Sequence, residues 1–143
     1  MMELDEITGA IIDCSIKIHI ELGPGLLESA YRKCLAYELQ KLGYHVEQEW
    51  PIPLVYETLR IEVAYKADLM VEGLVLVEVK GKESLHSRDK AQMLSQLRLL
   101  NLRVGLLINF HEILLKDGIR RVVNDYREPD DEGEDLENVP DFK

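Results

Sequence analysis

A regular alternation of apolar and polar residues from Ile61 to Val71 constrains the fold more than any other feature of this chain. Every odd position in that stretch is apolar, and three of the even positions are charged. A period of two is typical of a β-strand that buries one face. Glu72-Gly73 is a turn signal, and Leu74 to Lys80 has the Val and Leu content of a second strand. The two segments predict a β-hairpin.

The length of the hairpin loop decides which polar side chains share a face. Glu78 and Lys80 are two residues apart, so on a strand they point the same way. A two-residue loop would put Asp68 on the opposite face, whereas a three-residue loop from Val71 to Gly73 puts it beside Glu78. Only the longer loop brings both apolar rows to one side, and its glycine suits a left-handed position. We therefore expect Asp68, Glu78 and Lys80 to lie together.

Two amphipathic helices precede the hairpin. Apolar residues at spacings of three and four predict one helix over residues 4–21 and another from about Leu26 to Leu42. Gly23-Pro24-Gly25 separates them. Val46 to Glu49 begins a strand that nearby prolines disturb, which an edge strand tolerates better than a central one.

The chain after the hairpin predicts one more helix and one more buried strand. Ser87 or Asp89 is a candidate cap for a helix that runs to about Leu100. The unbroken apolar run from Val104 to Phe110 is typical of a strand covered on both faces. Residues 119–124 suggest a further short strand. The main order α-α-β-β-β-α-β predicts an α/β (α+β) fold with a mixed β-sheet flanked by helices.

Charge divides the chain into two parts. With 143 residues, 46% of them hydrophobic, it has the size and composition of one soluble domain. The segment 127–143 carries −6 of the total charge of −10, so the body, residues 1–126, carries only −4. We expect a domain over 1–126 and a disordered acidic tail over 127–143. Such a tail solvates the protein, binds a protein partner, or restrains nucleic-acid binding by mimicking its charge.

Composition also points to a cytoplasmic protein without a membrane segment. No apolar run approaches the ~20 residues that span a bilayer. Met1 to Glu6 contains three acids and no base, unlike a secretory signal. Cys14 and Cys34 fall in helical patterns and are expected to be buried, reduced thiols, and no Cys/His cluster has zinc spacing.

Two carboxylates beside a lysine on one sheet face predict a metal-dependent site. Asp68 and Glu78 offer the oxygen ligands that Mg²⁺ and Mn²⁺ prefer. A metal there would lower the pKa of bound water, and Lys80 would position that water or stabilise the transition state. This is the chemistry of phosphodiester hydrolysis. The alternative is a surface ion pair, Glu78 with Lys80 or Asp68 with Lys66.

These residues resemble a known signature. Asp68 followed by Glu78-Val79-Lys80 is similar to the motif of the PD-(D/E)xK nuclease superfamily, and Gly25 to Tyr31 fits the motif that names the GxxExxY family. Ala64 to Lys80 and the segment from Ala91 to Phe110 also look like that family, and the resemblance covers roughly residues 5–125. It implies a restriction-endonuclease-like core and nucleic acid, DNA or RNA, as substrate.

The resemblance adds two residues to the candidate site. It implies that Glu28 is a further metal-site acid, although a charge at a helix start is the plainer interpretation. It also implies that Gln92 approaches the metal water or a phosphate. Gln96 stands where family members often have an aromatic residue, and Ala67 replaces the superfamily's proline, so both positions depart from the pattern.

Three functions remain open from the sequence. The first is a metal-dependent nuclease. The second is a catalytically weak binding or regulatory module that acts with a protein partner, through the acidic tail for example. The third is a homodimer in which these charges form a buried polar network. The sequence does not distinguish DNA from RNA or endonuclease from exonuclease action.

Overall fold

In the computed structural model, which describes residues 3–125, helices cover both faces of a single sheet. The predicted α/β architecture is confirmed, and so is the short strand suggested for residues 119–124. Position 126 and the segment 127–143, including the predicted acidic tail, lie outside the described residues. The elements are α1 (Leu4–Leu22), α2 (Glu28–Lys41), β1 (Val46–Tyr56), β2 (Leu59–Val71), β3 (Val75–Lys80), α3 (Ser87–Leu100), β4 (Val104–Asn109), a 3₁₀ turn (Leu115–Gly118) and β5 (Ile119–Val123).

The sheet has the strand order β1-β2-β3-β4-β5, and its parallel pair lies in the middle. β3 runs parallel to β4, and each of the other neighbouring pairs is antiparallel. A parallel pair needs a long crossover, which α3 supplies. Lys80 and Asn109 are partners in this pair, so the two strands end side by side. The prediction that β4 is covered on both faces is confirmed, since all six of its residues are buried.

The odd-numbered and even-numbered side chains of β3 lie on opposite faces of the sheet, each facing a different apolar core. Its odd residues, Val75, Val77 and Val79, pack against α1 and α2 on one face. Leu76 packs against α3 on the other face, as does Leu107, the partner of Glu78 on β4. Glu78 therefore belongs to the α3 face of the sheet.

The hairpin loop lies one residue later than predicted. Leu69 pairs with Val77 and Val71 with Val75, so the three-residue loop is Glu72-Gly73-Leu74 and not Val71 to Gly73. Glu72 and Gly73 both adopt positive φ, 56° and 66°. The sum of the paired residue numbers is still even, so the apolar rows of β2 and β3 share one face where the strands pair, as predicted.

β1 is an edge strand, as its prolines predicted, but it is longer than expected. It continues through Pro51 and Pro53 to Tyr56 and pairs with β2 along its length. The outer half of this ribbon extends beyond the core, and Ile61 and Val63 are 37% and 48% exposed. In this half of β2, the alternation of apolar and polar residues therefore does not mark a buried face.

The segment between α1 and α2 is held by Tyr31. This side chain is fully buried and stacks on Phe110, with ring centroids 4.3 Å apart. Its hydroxyl donates to the carbonyl of Gly23 and accepts from the N–H of Leu26, at 3.0 Å in the second case. Tyr31 is therefore a core residue that shapes the loop before Glu28.

Smaller predictions have mixed outcomes. Both cysteines are free thiols, but only Cys14 is buried, and Cys34 is partly exposed. The predicted cap at Ser87 is wrong, because His86 precedes the helix and Ser87 is its first residue. Asp89 instead accepts a hydrogen bond from the N–H of His86 at 2.8 Å. No helix within residues 3–125 is long and apolar enough to cross a membrane.

Candidate active site

The site begins where β2 and β3 stop pairing. Their ladder ends at Leu69 and Val77, although both strands continue. One residue further on, Oδ2 of Asp68 accepts the main-chain N–H of Val79 at 2.7 Å, so a side chain takes the place of a ladder bond. Alternation also shifts here, since Ala67 packs with the α3-side core and Leu69 with the opposite one. The irregularity directs the carboxylate of Asp68 toward β3.

Glu78 is a buried carboxylate with unmet bonding capacity. It is 8% exposed, and its Oε1 has no hydrogen-bond partner among the described residues. Burial, reinforced by the neighbouring negative charge of Asp68, raises the pKa of Glu78 to about 8. The positive charge of Lys80 acts in the opposite direction. Near neutral pH the unliganded site therefore holds a proton that a cation would displace.

The pKa of Asp68 is also raised, and for the same main reason. Burial raises its pKa, and the hydrogen bond from Val79 and the charges of Lys80 and Arg32 oppose that rise. The carboxyl group of Asp68 lies close enough to Glu78 to raise its pKa, and Lys80 lowers the pKa of both groups. The structure therefore brings together the Asp-Glu-Lys set that the sequence predicted.

Glu28 reaches the same end of the sheet from α2. Its Oε2 accepts the N–H of Gly81, the residue after Lys80, at 2.8 Å. A Cβ at Gly81 would lie 3.3 Å from the Cγ of Glu28, so glycine allows the close approach. The negative charge of Glu28 also raises the pKa of Asp68, as the smallest of its causes. Glu28 is thus at the border of the site, with one oxygen engaged by the main chain.

The structure does not join Gln92 to this group. Gln92 is partly buried on α3, and its side chain makes no hydrogen bond within residues 3–125. Gln96, one turn further on, is 4% exposed, and its Oε1 has no partner in the described part of the chain. Gln92 remains a prediction from the resemblance alone.

Two residues beside the site were not predicted. Arg32 contributes positive charge to Asp68 and pairs with Glu49, at 3.7 Å, and with Gln48, at 3.3 Å. The signal for it was its position one helical turn after Glu28, because residues at i and i+4 share a helix face.

Asn109 is the second residue that sequence reasoning missed. It is fully buried opposite Lys80, and its amide bonds both main-chain groups of Lys82, the N–H at 3.1 Å and the carbonyl at 2.8 Å. It therefore fixes the chain just after the lysine. A polar residue at the end of the apolar run from Val104 was the available signal. The side chain of Lys82 forms an ion pair with Asp89 at 2.9 Å.

The residues of this site suit a hard divalent cation. Within residues 3–125 no group of three or more His, Cys, Asp or Glu side chains is gathered as a metal cage. Mg²⁺ is often held by one or two carboxylates, with water and substrate phosphates completing its shell. The unpaired, buried Oε1 of Glu78 beside Asp68 supplies such a pair. Asp68 and Glu78 would hold the ion, with Glu28 at the border.

Comparison with known proteins agrees with this arrangement. A family model described as the PD-(D/E)XK nuclease superfamily matches residues 5–122. Neither the curated proteins nor the solved structures gave a match to the chain. Nucleases of that superfamily generally use divalent metals, and the mixed, helix-flanked sheet agrees with a restriction-endonuclease-like fold. Because the match covers most of the chain, this protein belongs to the PD-(D/E)XK nuclease superfamily.

Proposed function

We propose that this protein hydrolyses phosphodiester bonds of nucleic acid with Mg²⁺ or Mn²⁺ bound to Asp68 and Glu78. The observation that carries the proposal is the buried Oε1 of Glu78, which lacks a partner in the described chain and lies beside a second carboxylate. An unpaired buried carboxylate is costly, and a cation removes that cost.

Each residue of the site has a separate role in this proposal. When bound, the divalent ion supplies an activated water and neutralises charge that develops on the phosphate. Asp68 is fixed in place by the N–H of Val79. Lys80 lies on the same face as Glu78, where its ammonium group stabilises the transition state or orients the water. Glu28 holds Gly81, and so the backbone that follows the lysine.

We further propose that the chain is a GxxExxY protein, in which Glu28 and Gln92 take part in the site. Support comes from the motif Gly25 to Tyr31 and from the position of Glu28 at the border of the carboxylate pair. The buried Tyr31 gives the last position of that motif a structural role.

A second candidate is a binding module of low activity that needs a protein partner. The ion pair between Lys82 and Asp89 favours this candidate, because the ammonium group of Lys82 is held by a carboxylate and is less available to contact phosphates. In that case metal binds but free nucleic acid is not cut.

The test is calorimetric titration of Mn²⁺ and Mg²⁺ into wild type, Glu78→Gln and Glu21→Gln, followed by incubation with DNA and RNA. Glu21 is an exposed acid on α1, so its variant controls for loss of a surface charge. We expect metal binding and metal-dependent cleavage in wild type and Glu21→Gln, and neither in Glu78→Gln. Lys80→Ala should bind metal but lose at least about 100-fold in rate. A folded wild type that binds no metal at millimolar concentration would exclude the proposal.

A further inference from the structure

A groove of about 590 Å³ lies between the β1–β2 ribbon and α3. Two of its lining residues come from the ribbon and three from the helix. Together they provide an aromatic ring, aliphatic side chains, two hydroxyls and one guanidinium. The lining residues are Leu54, Tyr65, Ser95, Arg98 and Leu99.

The groove lies on the same face of the sheet as Glu78. Tyr65 packs against the α3-side core, which also contains Leu107, the strand partner of Glu78. Tyr65 and Asp68 are on one strand, three residues apart. At about 3.3 Å per residue that is a separation of about 10 Å, comparable with the rise of roughly three stacked nucleotides. A strand bound at Asp68 therefore reaches the groove within a few nucleotides.

The chemistry of the lining fits a nucleobase attached to a phosphate. Aromatic faces stack on any base, and arginine adds cation–π and phosphate contacts. Serine hydroxyls bond base edges or phosphates. A base inside a duplex has both faces covered by its neighbours, so it enters such a groove only after leaving the stack.

We propose that this groove binds an unstacked base of the strand being cut, so that the substrate is single-stranded or locally unpaired. This inference deepens the proposed nuclease function and rests on it, because a strand bound in the groove is a substrate only if the protein cleaves nucleic acid. The base itself would be held by Tyr65 and Leu54, with the adjoining phosphate near Arg98. An apolar side chain from a partner protein is the competing occupant, and the experiment separates it.

The experiment measures binding apart from cleavage. Asp68→Asn protein, expected to be inactive, is titrated with single-stranded and duplex oligonucleotides of one sequence, as DNA and as RNA. One base is 2-aminopurine, whose fluorescence falls when it stacks on an aromatic ring. Tyr65→Ala and Tyr65→Phe are made in the same background, because phenylalanine keeps the ring. Ser95→Glu places a negative charge at an exposed position of the groove without touching the core.

We expect the single strand to bind more tightly than the duplex, with quenching of 2-aminopurine. Tyr65→Ala should weaken binding at least about fivefold and abolish the quenching, since one stacked base contributes ~1–3 kcal/mol. Tyr65→Phe should stay within about twofold of its parent. Ser95→Glu should weaken binding as well, and it serves where Tyr65→Ala does not fold.

Failure of the groove and failure of the nuclease function give different results. Tyr65→Ala and Ser95→Glu are therefore also made in the wild-type background, and cleavage that neither substitution changes overturns the groove assignment alone. Binding of single strands through Tyr65, without metal-dependent cleavage by wild type, overturns the hydrolysis alone and keeps the groove. Preference for duplex, or binding that none of the groove variants changes, overturns the proposal and leaves a protein side chain as the occupant.

Discussion

Oδ2 of Asp68 accepts the main-chain N–H of Val79 at 2.7 Å, across two strands that no longer pair at that level. The bond satisfies a donor that the missing ladder would have left open. It also fixes one carboxylate against the strand that carries Glu78 and Lys80. The divergence of β2 from β3 therefore makes room for the site and also holds one of its acids.

The stability of the metal-free protein should fall as the pH rises through neutrality. The folded pKa of Glu78, about 8, lies above the value of a free glutamate, so the protonated form stabilises the fold. That contribution is complete below the unfolded pKa and is lost as the pH approaches 8. We expect the melting temperature in chelator to fall by at least about 4 °C from pH 5 to pH 8.

Glu78→Gln should flatten this dependence, because the amide has no proton to lose. Divalent cation should restore the melting temperature of wild type at pH 8 and leave that of Glu78→Gln unchanged. Thermal unfolding followed by circular dichroism measures both effects. Equal slopes with pH in wild type and variant would show that another group is responsible.

Asn109→Ala should impair catalysis through the backbone that follows Lys80. The substitution leaves both main-chain groups of Lys82 without their present partners, at a cost of about 1–3 kcal/mol in the free energy of unfolding. We expect the cleavage rate to fall at least about tenfold while the metal dissociation constant changes by less than about twofold. Denaturant unfolding, calorimetry and steady-state cleavage supply the three measurements.

Asn124→Ala is the matched control for that substitution. Asn124 is also buried and donates to the carbonyl of Leu102, but it follows β5, at the end of the sheet away from Lys80. It should lose comparable stability and keep its cleavage rate. If both variants lose activity in proportion to stability, Asn109 has no positioning role.

Tyr31→Phe should loosen the start of α2. The hydroxyl of Tyr31 binds Gly23 and Leu26, and its removal leaves both without this partner, while phenylalanine keeps the stacking on Phe110. We expect a loss of about 1–3 kcal/mol in the free energy of unfolding. Tyr37→Phe, on the same helix and 61% exposed, should change stability by less than about 0.5 kcal/mol. Denaturant titration measures the free energy of unfolding of both variants, and equal losses would contradict the role assigned to the Tyr31 hydroxyl.

The sequence was sufficient to predict the elements and the faces of the central hairpin. Which apolar rows share a face depends only on whether the numbers of paired residues have an even sum. Moving the loop by one residue changes that sum by two, so this prediction remains correct. That displacement arises because Glu72, as well as Gly73, takes positive φ. A non-glycine residue rarely adopts this conformation, so the pattern favoured the earlier loop.

Other features depend on tertiary contacts that no local pattern records. The break in alternation at Asp68 is invisible because the apolar residues continue on either side of it. Exposure of Ile61 and Val63 was hidden for the same reason, since periodicity does not say whether anything covers a face. The sequence predicts Asn109 as part of a buried strand, whereas its hydrogen bonds to Lys82 span 27 residues of sequence.

The ribbon beyond Asp68 has a consequence for how the molecule fluctuates. Its outer half is a pair of strands with exposed side chains, whereas β3 and β4 are buried and pair with each other from Val75 to Lys80 and from Val104 to Asn109. Two-stranded ribbons are marginal in water, and such regions exchange amide hydrogens through local opening. The carboxylates thus lie at the border between strands whose amide hydrogens exchange slowly and strands whose amide hydrogens exchange rapidly. One wall of the adjoining groove can therefore open locally while Glu78 and Lys80 keep their positions.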